Sequence, residues 1–161
     1  IRSFKIFSLG VFLGVFTEFM YTIMGSGEFL SLSDIRIPGV LQRIAIVYLI
    51  CSIMYGYTNW VQQLVIMQIL LILYYICMQF IPVPGIGAGV LEPGKNLAAY
   101  IDNLLIPGSM WEGNWDPEGI LSTFPAISSG IGGMLAGYIL STSKTSENKV
   151  IILYFVGVIC L

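Results

Sequence analysis

Two groups of ionisable side chains are the residues in this sequence that could take part in chemistry. One group lies between residues 34 and 43, and the other between residues 102 and 118. The 161-residue chain contains no histidine, so these residues cannot form a Ser–His–Asp site, a histidine-ligated metal site or a histidine general base. Chemistry in this chain therefore depends on carboxylates and arginines. The members of the two groups are Asp34, Arg36 and Arg43, then Asp102, Glu112, Asp116 and Glu118.

The composition indicates which solvent surrounds these residues. Hydrophobic residues make up 57% of the chain and charged residues 10%, whereas a soluble domain carries roughly 25% charged residues. Mean hydropathy is +0.87. These values argue against a soluble enzyme or a disordered segment, and the net charge of −2 argues against a nucleic-acid partner. We therefore expect the lipid bilayer to surround this chain.

Five apolar segments predict an all-α, polytopic transmembrane bundle that forms a single domain over residues 1–161. A spanning helix needs about 20 mostly apolar residues, because each backbone polar group must be satisfied within it. The last segment is shorter, so we expect it to continue past residue 161 and the chain to be a fragment of a larger membrane protein. The predicted helices are residues 4–21, 40–57, 60–80, 121–140 and 150–161.

The positions of the cations predict the orientation of the bundle. With helix ends counted alternately, one side holds Arg2, Lys5, Lys144 and Lys149, and the other holds Arg36, Arg43 and Lys95. Cytoplasmic loops carry more Lys and Arg than external ones. The ends at Arg2 and Lys149 are therefore predicted to be cytoplasmic, and the long loop 81–119 extracytoplasmic.

The residue composition of the long loop 81–119 predicts an ordered cap over the outer end of the bundle. Residues 97–105 read as a short helix with Asn96 as its N-cap. Several prolines and glycines precede it and favour turns. The rings of Tyr100, Trp111 and Trp115 are of the type that rests at lipid headgroups.

The three candidate catalytic residues also have structural interpretations. Asp116, Pro117 and Glu118 match the start signals of the fourth membrane helix, and they also stand at the mouth of the bundle where a polar substrate would arrive. Arg43 lies about one turn inside a membrane helix, which is costly unless it faces a partner or water. We expect an ion pair between Arg43 and Glu18.

Small residues in the membrane helices predict close helix contacts. Gly10 and Gly14 are four residues apart in the first helix, a spacing that lets helix backbones approach in lipid. The fourth helix carries the same spacing at Ser129, Gly133 and Gly137. The three cysteines, Cys51, Cys77 and Cys160, lie inside predicted helices and are interpreted as packing residues.

Two separate motifs carry a family resemblance. The first is DIRIPGVLQR at residues 34–43, and the second joins AYID at 99–102 to DPEGILST at 116–123, followed by a glycine-rich helix. In this order they resemble the heparan-α-glucosaminide N-acetyltransferase family, including its bacterial homologues.

The resemblance implies a polytopic transferase, here in a bacterial inner membrane. Such an enzyme takes acetyl from cytosolic acetyl-CoA and delivers it to the amine of an amino sugar on the far side. The resemblance also implies a histidine upstream of the matched segments. Because this chain has none, we expect the catalytic base to lie outside it and the 161 residues alone to be inactive. The expected acceptor is a cell-envelope amino sugar.

Within this resemblance, residue chemistry suggests roles for the polar residues. Attack of an amine on a thioester needs a base for the proton and donors for the oxyanion. The predicted topology places the arginines opposite the cytoplasm, so either acetyl-CoA reaches deep into the bundle or its phosphates bind elsewhere. No metal is expected. The candidate catalytic residues are Arg43, Asp116 and Glu118, and the candidate substrate-binding residues are Arg36, Gln42, Asp102, Asn96 and Tyr100.

A non-enzymatic carrier for a sugar or a lipid-linked precursor is the alternative. Polar residues within the helices would then line a path. The chain shows no internal repeat of the kind common in carriers, and whether the protein forms a homo-oligomer is left open. The residues of such a path are Tyr48, Tyr55, Gln62, Gln63, Gln68 and Gln79.

Overall fold

The computed structural model describes residues 1–21, 23–24, 36, 38–108, 110–111 and 113–159, apart from the side chains of Glu18 and Tyr21. Over these residues the chain is helical, with a single β-bridge between Val83 and Gly87. This confirms the predicted all-α bundle with a short helix in its long loop. The helices are α1 (Arg2–Tyr21), α2 (Val40–Tyr57), α3 (Trp60–Phe80), α4 (Leu97–Leu105), α5 (Thr123–Ser141) and α6 (Ser146–Ile159).

Within the described part of the chain, three helices, α2, α3 and α5, are long and apolar enough to cross a membrane. The spans of α1 and α6 and the orientation of the bundle stay predictions. α6 begins at Ser146, four residues before the predicted apolar segment 150–161. The Thr145 hydroxyl accepts a hydrogen bond from the Asn148 N–H at 3.4 Å at this helix start. A side-chain oxygen at this position satisfies one of the free N–H groups of a helix start.

The helices pack in a row, with α1 on α2, α2 on α5 and α5 on α3. One small apolar cluster of buried residues, Cys51, Ile127 and Ile131, lies where α2, α3 and α5 meet. Most large apolar side chains of the helices are exposed. An apolar exterior of this extent fits a lipid environment rather than water.

A second apolar cluster holds the long loop on the end of the bundle. Met78 at the end of α3 packs with Val83, with Leu97 of α4 and with Leu121 before α5. The Asn96 side chain accepts a hydrogen bond from the Ala99 N–H at 2.9 Å, which confirms Asn96 as the N-cap of α4. α4 is thereby fixed beside the start of α5.

Two glycines set the closest helix contacts. A Cβ at Gly10 would lie 2.8 Å from the Cβ of Leu41, which confirms the predicted close approach of the first helix, α1, to its neighbour. In α5, a Cβ at Gly133 or Gly137 would meet none of the described atoms within 4 Å, so close packing on that face stays a prediction. The close approach is at Gly130, where a Cβ would lie 2.6 Å from Val47 Cγ1.

Replacing Gly130 with alanine is expected to lower the free energy of unfolding by about 1–2 kcal/mol, because the added methyl group forces α2 and α5 apart. Thermal unfolding in detergent measures the change. Gly133→Ala is the matched control in the same helix and should be neutral or stabilising, since its methyl group meets open space. Equal destabilisation by both variants would contradict the packing described here.

Candidate functional site

The two matched motif segments meet at one end of the bundle. Arg36 lies before α2, just ahead of Pro38 and the extended N-cap Gly39, and Asp116 and Glu118 lie before α5. The contact between them spans 80 residues of sequence. It places Arg36, ahead of α2, and the turn ahead of α5 at the same end of the molecule.

Arg36 is the centre of this contact. Its Nε and Nη2 atoms donate to the two carboxylate oxygens of Asp116, each at 2.7 Å. Nη2 also donates to Glu118 Oε2 at 2.5 Å. The guanidinium lies 5.1 Å from the ring centroid of Trp111, a cation–π distance. A bidentate contact of this kind fixes the orientation of the guanidinium plane and also pairs its charge.

Asp116 is an ionised carboxylate in a buried position. Its side chain is 0% exposed, whereas Arg36 is 26% and Glu118 14% exposed. Burial acts to raise the pKa of Asp116, but the hydrogen bonds from Arg36 and from the Glu118 N–H outweigh it and hold this pKa below its usual range. The same pairing raises the pKa of Arg36. The Arg36–Asp116 pair is therefore charged at physiological pH.

The prediction that Asp116 caps the fourth membrane helix is wrong. That helix, α5, begins at Thr123, and residues 117–122 form turns. The Asp116 carboxylate instead accepts hydrogen bonds from the Trp111 and Glu118 N–H groups as well as from Arg36. Its oxygens thus bind a partner from a distant part of the chain as well as two nearby backbone N–H groups.

Arg43 reaches the same turn from inside α2. Its Nη1 donates to the Pro117 carbonyl at 2.9 Å and its Nη2 to the Ser122 carbonyl at 2.7 Å. A cation within a membrane helix needs polar partners, and these two carbonyls provide them. The Glu18 side chain lies outside the described residues, so the expected pair with Glu18 stays a prediction.

Two cavities adjoin Arg43. The smaller, of about 450 Å³, is lined by Gln42, Glu118 and Thr123 together with apolar groups of α1, α2 and the turn after α4. The larger, of about 820 Å³, is a groove between α2 and α5 lined by Tyr48, Ser52, Tyr55, Ser129 and apolar side chains. Arg43 lines both, and it is the one charged residue among the described lining of the groove.

The structure separates three predicted binding residues from these cavities. Asp102 of α4 is 1% exposed and accepts a hydrogen bond from the Ile120 N–H at 2.9 Å. The Asn96 side-chain oxygen is used as the helix cap. Tyr100 is exposed on α4 and lines neither cavity. Of the predicted set, Gln42, Arg43 and Glu118 share the smaller cavity, and Arg36 and Asp116 adjoin it through Glu118.

Two contributors to the site were not indicated by sequence patterns. Trp111 places its ring against Arg36, although an aromatic residue in an outer loop suggests only a headgroup contact. Gly119 is the other, because a Cβ there would collide with the Asp102 carboxylate. A glycine directly after Glu118, in a turn with two acidic residues, was the available signal for such a close approach.

Comparisons with known proteins point to one enzyme name. The chain is 29% identical to heparan-alpha-glucosaminide N-acetyltransferase of Mus musculus over 82% of the chain, and 29% identical to the Homo sapiens enzyme of the same name, again over 82%. The chain spans about a quarter of the length of these relatives (27% and 26%). No protein-family model matches it.

Proposed function

We propose that this chain is part of a membrane N-acetyltransferase that moves acetyl from acetyl-CoA to the amine of an amino sugar. The observation that carries the proposal is that the segments around Arg36 and Asp116, which hold the resemblance to N-acetyltransferases, join into one charged cluster beside two cavities. The relatives named above support the transferase class. The chain spans only part of such an enzyme, so the activity belongs to the longer protein.

The chemistry required is aminolysis of a thioester. The amine nitrogen attacks the acetyl carbon, a C–N bond forms, the C–S bond breaks, the thiol leaves and the amine loses a proton. The amine must lose its ammonium proton before it can attack. Glu118 lines the smaller cavity and is partly exposed, so it is placed to bind the ammonium group of an arriving amino sugar.

Arg43 is placed to bind the oxygen on which negative charge develops. It lines both cavities, so a donor molecule in one and an acceptor molecule in the other would both lie beside it. Gln42 lies one residue away and lines the smaller cavity. Fixed donors aimed at a developing oxyanion are among the largest contributions to catalysis of acyl transfer. The base that takes the amine proton is expected outside this chain.

The groove between α2 and α5 fits one part of acetyl-CoA better than another. Its hydroxyl-bearing and apolar lining, with Tyr48, Ser52 and Tyr55, suits the amide-containing pantetheine arm and the acetyl group. Arg43 is the single cation among the described residues that line it, which is too little positive charge for the phosphates. The phosphates are therefore proposed to bind to other parts of the protein.

The carrier alternative finds less support. Two of the glutamines proposed to line a path have local roles: Gln62 forms a reciprocal capping pair with Asn59, and Gln63 donates to the Thr58 carbonyl. Both lie at the short connection between α2 and α3. They therefore explain the start of α3 rather than a polar pathway.

Acetyl transfer by the full-length protein in sealed vesicles tests the proposal. With labelled acetyl-CoA on one side and glucosamine on the other, we expect labelled N-acetylglucosamine to form. Arg43→Gln should lower the rate about 30-fold, equivalent to ~2 kcal/mol of transition-state stabilisation. Lys95→Ala is the control, because Lys95 pairs only with the exposed Glu92 among the described residues.

The outcomes separate the two functions. Movement of the amino sugar across the membrane without acetylation would support the carrier and contradict the transferase. An unchanged rate in Arg43→Gln, with acetylation intact in the wild type, would contradict the role given to Arg43.

A further inference from the structure

Asp102 is a buried acidic residue that has no role in the acetyl-transfer chemistry proposed above. It lies on α4, is 1% exposed, and its Oδ1 accepts one hydrogen bond, from the Ile120 N–H. Its Oδ2 is buried and has no hydrogen-bond partner in the described part of the chain. The carboxyl group lies against Gly119, at the turn that carries the site.

The surroundings of Asp102 oppose a negative charge. Removal from water destabilises an ionised carboxylate strongly unless it is paired. Burial raises the pKa of Asp102, the Ile120 N–H lowers it, and the negative charge of Asp116 raises it further. The cation nearest in this network, Arg36, is bound to Asp116 and Glu118.

The other elements around α4 bring no compensating charge. α3, which packs on α4, contains no Asp, Glu, Lys or Arg, and its titratable Tyr74 and Cys77 lie against the apolar cluster. α5 likewise contains none of these charged residues. The guanidinium of Arg43 is bound to the carbonyls of Pro117 and Ser122.

We propose that Asp102 is a positioning residue, held as a neutral acid, that locks the turn 116–122 onto α4. Its carbonyl oxygen accepts the Ile120 N–H, and its burial against Gly119 fixes the spacing of the two segments. The turn carries Asp116 and Glu118, which bind Arg36, and the carbonyls that bind Arg43. The effect of Asp102 on acetyl transfer rests on the proposed function, whereas its protonation state and its effect on stability do not.

The sign of the pH dependence follows from the raised pKa of Asp102. A carboxyl group that is harder to ionise in the folded state stabilises it fully below the unfolded pKa of about 3.9. That contribution is lost as the pH rises through the folded pKa. Ionisation of Asp102 should therefore loosen the turn at high pH, opposite in sign to the behaviour of Asp116.

Asp102→Asn and Asp102→Ala in the full-length protein test the proposal. Asparagine is a neutral isostere that keeps the acceptor for Ile120, so it should fold and keep acetyl transfer within about threefold of the wild type. Its Tm relative to the wild type should rise as the pH increases from about 4 to about 8. Alanine should lower the Tm at every pH.

Infrared spectroscopy detects the proton on the Asp102 carboxyl group directly and does not depend on acetyl-transfer activity. We expect an infrared carbonyl-stretch band of a protonated carboxyl group in the wild type that is absent from Asp102→Asn. Absence of that band, failure of Asp102→Asn to fold, or equal effects of the two variants would each overturn the proposal. If band and stability behave as expected but the wild type transfers no acetyl, only the transferase proposal fails.

Discussion

Replacing Arg36 with alanine is expected to lower the free energy of unfolding by about 3–4 kcal/mol, the largest effect of any single substitution considered. The variant leaves Asp116 without its cation in a position that is 0% exposed. Removing one partner of a buried ion pair typically costs about 3–5 kcal/mol. Arg36 itself is about a quarter exposed, which places the expectation toward the lower end of that range.

Thermal unfolding of the full-length protein in detergent, with a double-mutant cycle, measures this effect. Asp116→Asn should cost less than Arg36→Ala, and the double variant should be far less destabilised than the sum of the two, because the pair acts as a unit. Lys95→Ala, in the exposed Glu92–Lys95 pair, should cause no measurable change. Additive effects of Arg36→Ala and Asp116→Asn would contradict the coupling.

The pH dependence of the Arg36 effect has a fixed direction. The pKa of Asp116 is held below its usual range. The stabilisation by the pair is therefore fully present above the unfolded pKa of about 3.9 and is lost as the pH falls through the folded pKa. The difference between wild type and Arg36→Ala should shrink in acid.

Hydropathy predicted most of the fold because lipid imposes one requirement on every spanning segment. A long apolar run must satisfy its own backbone, and a helix is the solution available to a single segment. The bounds of α2 and α3 accordingly match the prediction. Asn96 was also predictable as a cap, since a cap depends on residues within one turn.

The role of Asp116 was not predictable from local sequence. Asp, Pro and Glu in succession match the start of a helix as well as they match a binding turn. Asp116 takes the second role, in a binding turn, because it binds Arg36, a partner 80 residues away. The spacing of nearby residues does not predict a tertiary contact of this kind.

The packing face of α5 shows a related limit. Spacings of four residues identify small residues that share one side of a helix, but not which side meets a neighbour. Ser129, Gly133 and Gly137 share a side, and Gly130 is turned by about 100° from Ser129. The structure places Gly130 against α2 and leaves Gly133 and Gly137 without near neighbours in the described residues.

Gly119→Ala is expected to lower the free energy of unfolding by about 3 kcal/mol, at the upper end of the range for overpacking. The added methyl group would collide with the Asp102 carboxyl group, which α4 holds in place. The backbone φ of Gly119 is not in the left-handed region, so the effect comes from this collision rather than from backbone strain. The variant should separate the turn from α4 and weaken the Arg36 cluster.

A second substitution tests whether the collision is the cause. In the background Asp102→Ala, the methyl group of Ala at position 119 gains the space left by the carboxylate, so Gly119→Ala should cost much less there than in the wild type. Thermal unfolding of the four proteins gives the coupling energy. Gly137→Ala, whose methyl group would meet none of the described atoms within 4 Å, controls for the general effect of replacing glycine. If Gly119→Ala is equally costly in both backgrounds, the turn and α4 are not held together through Asp102.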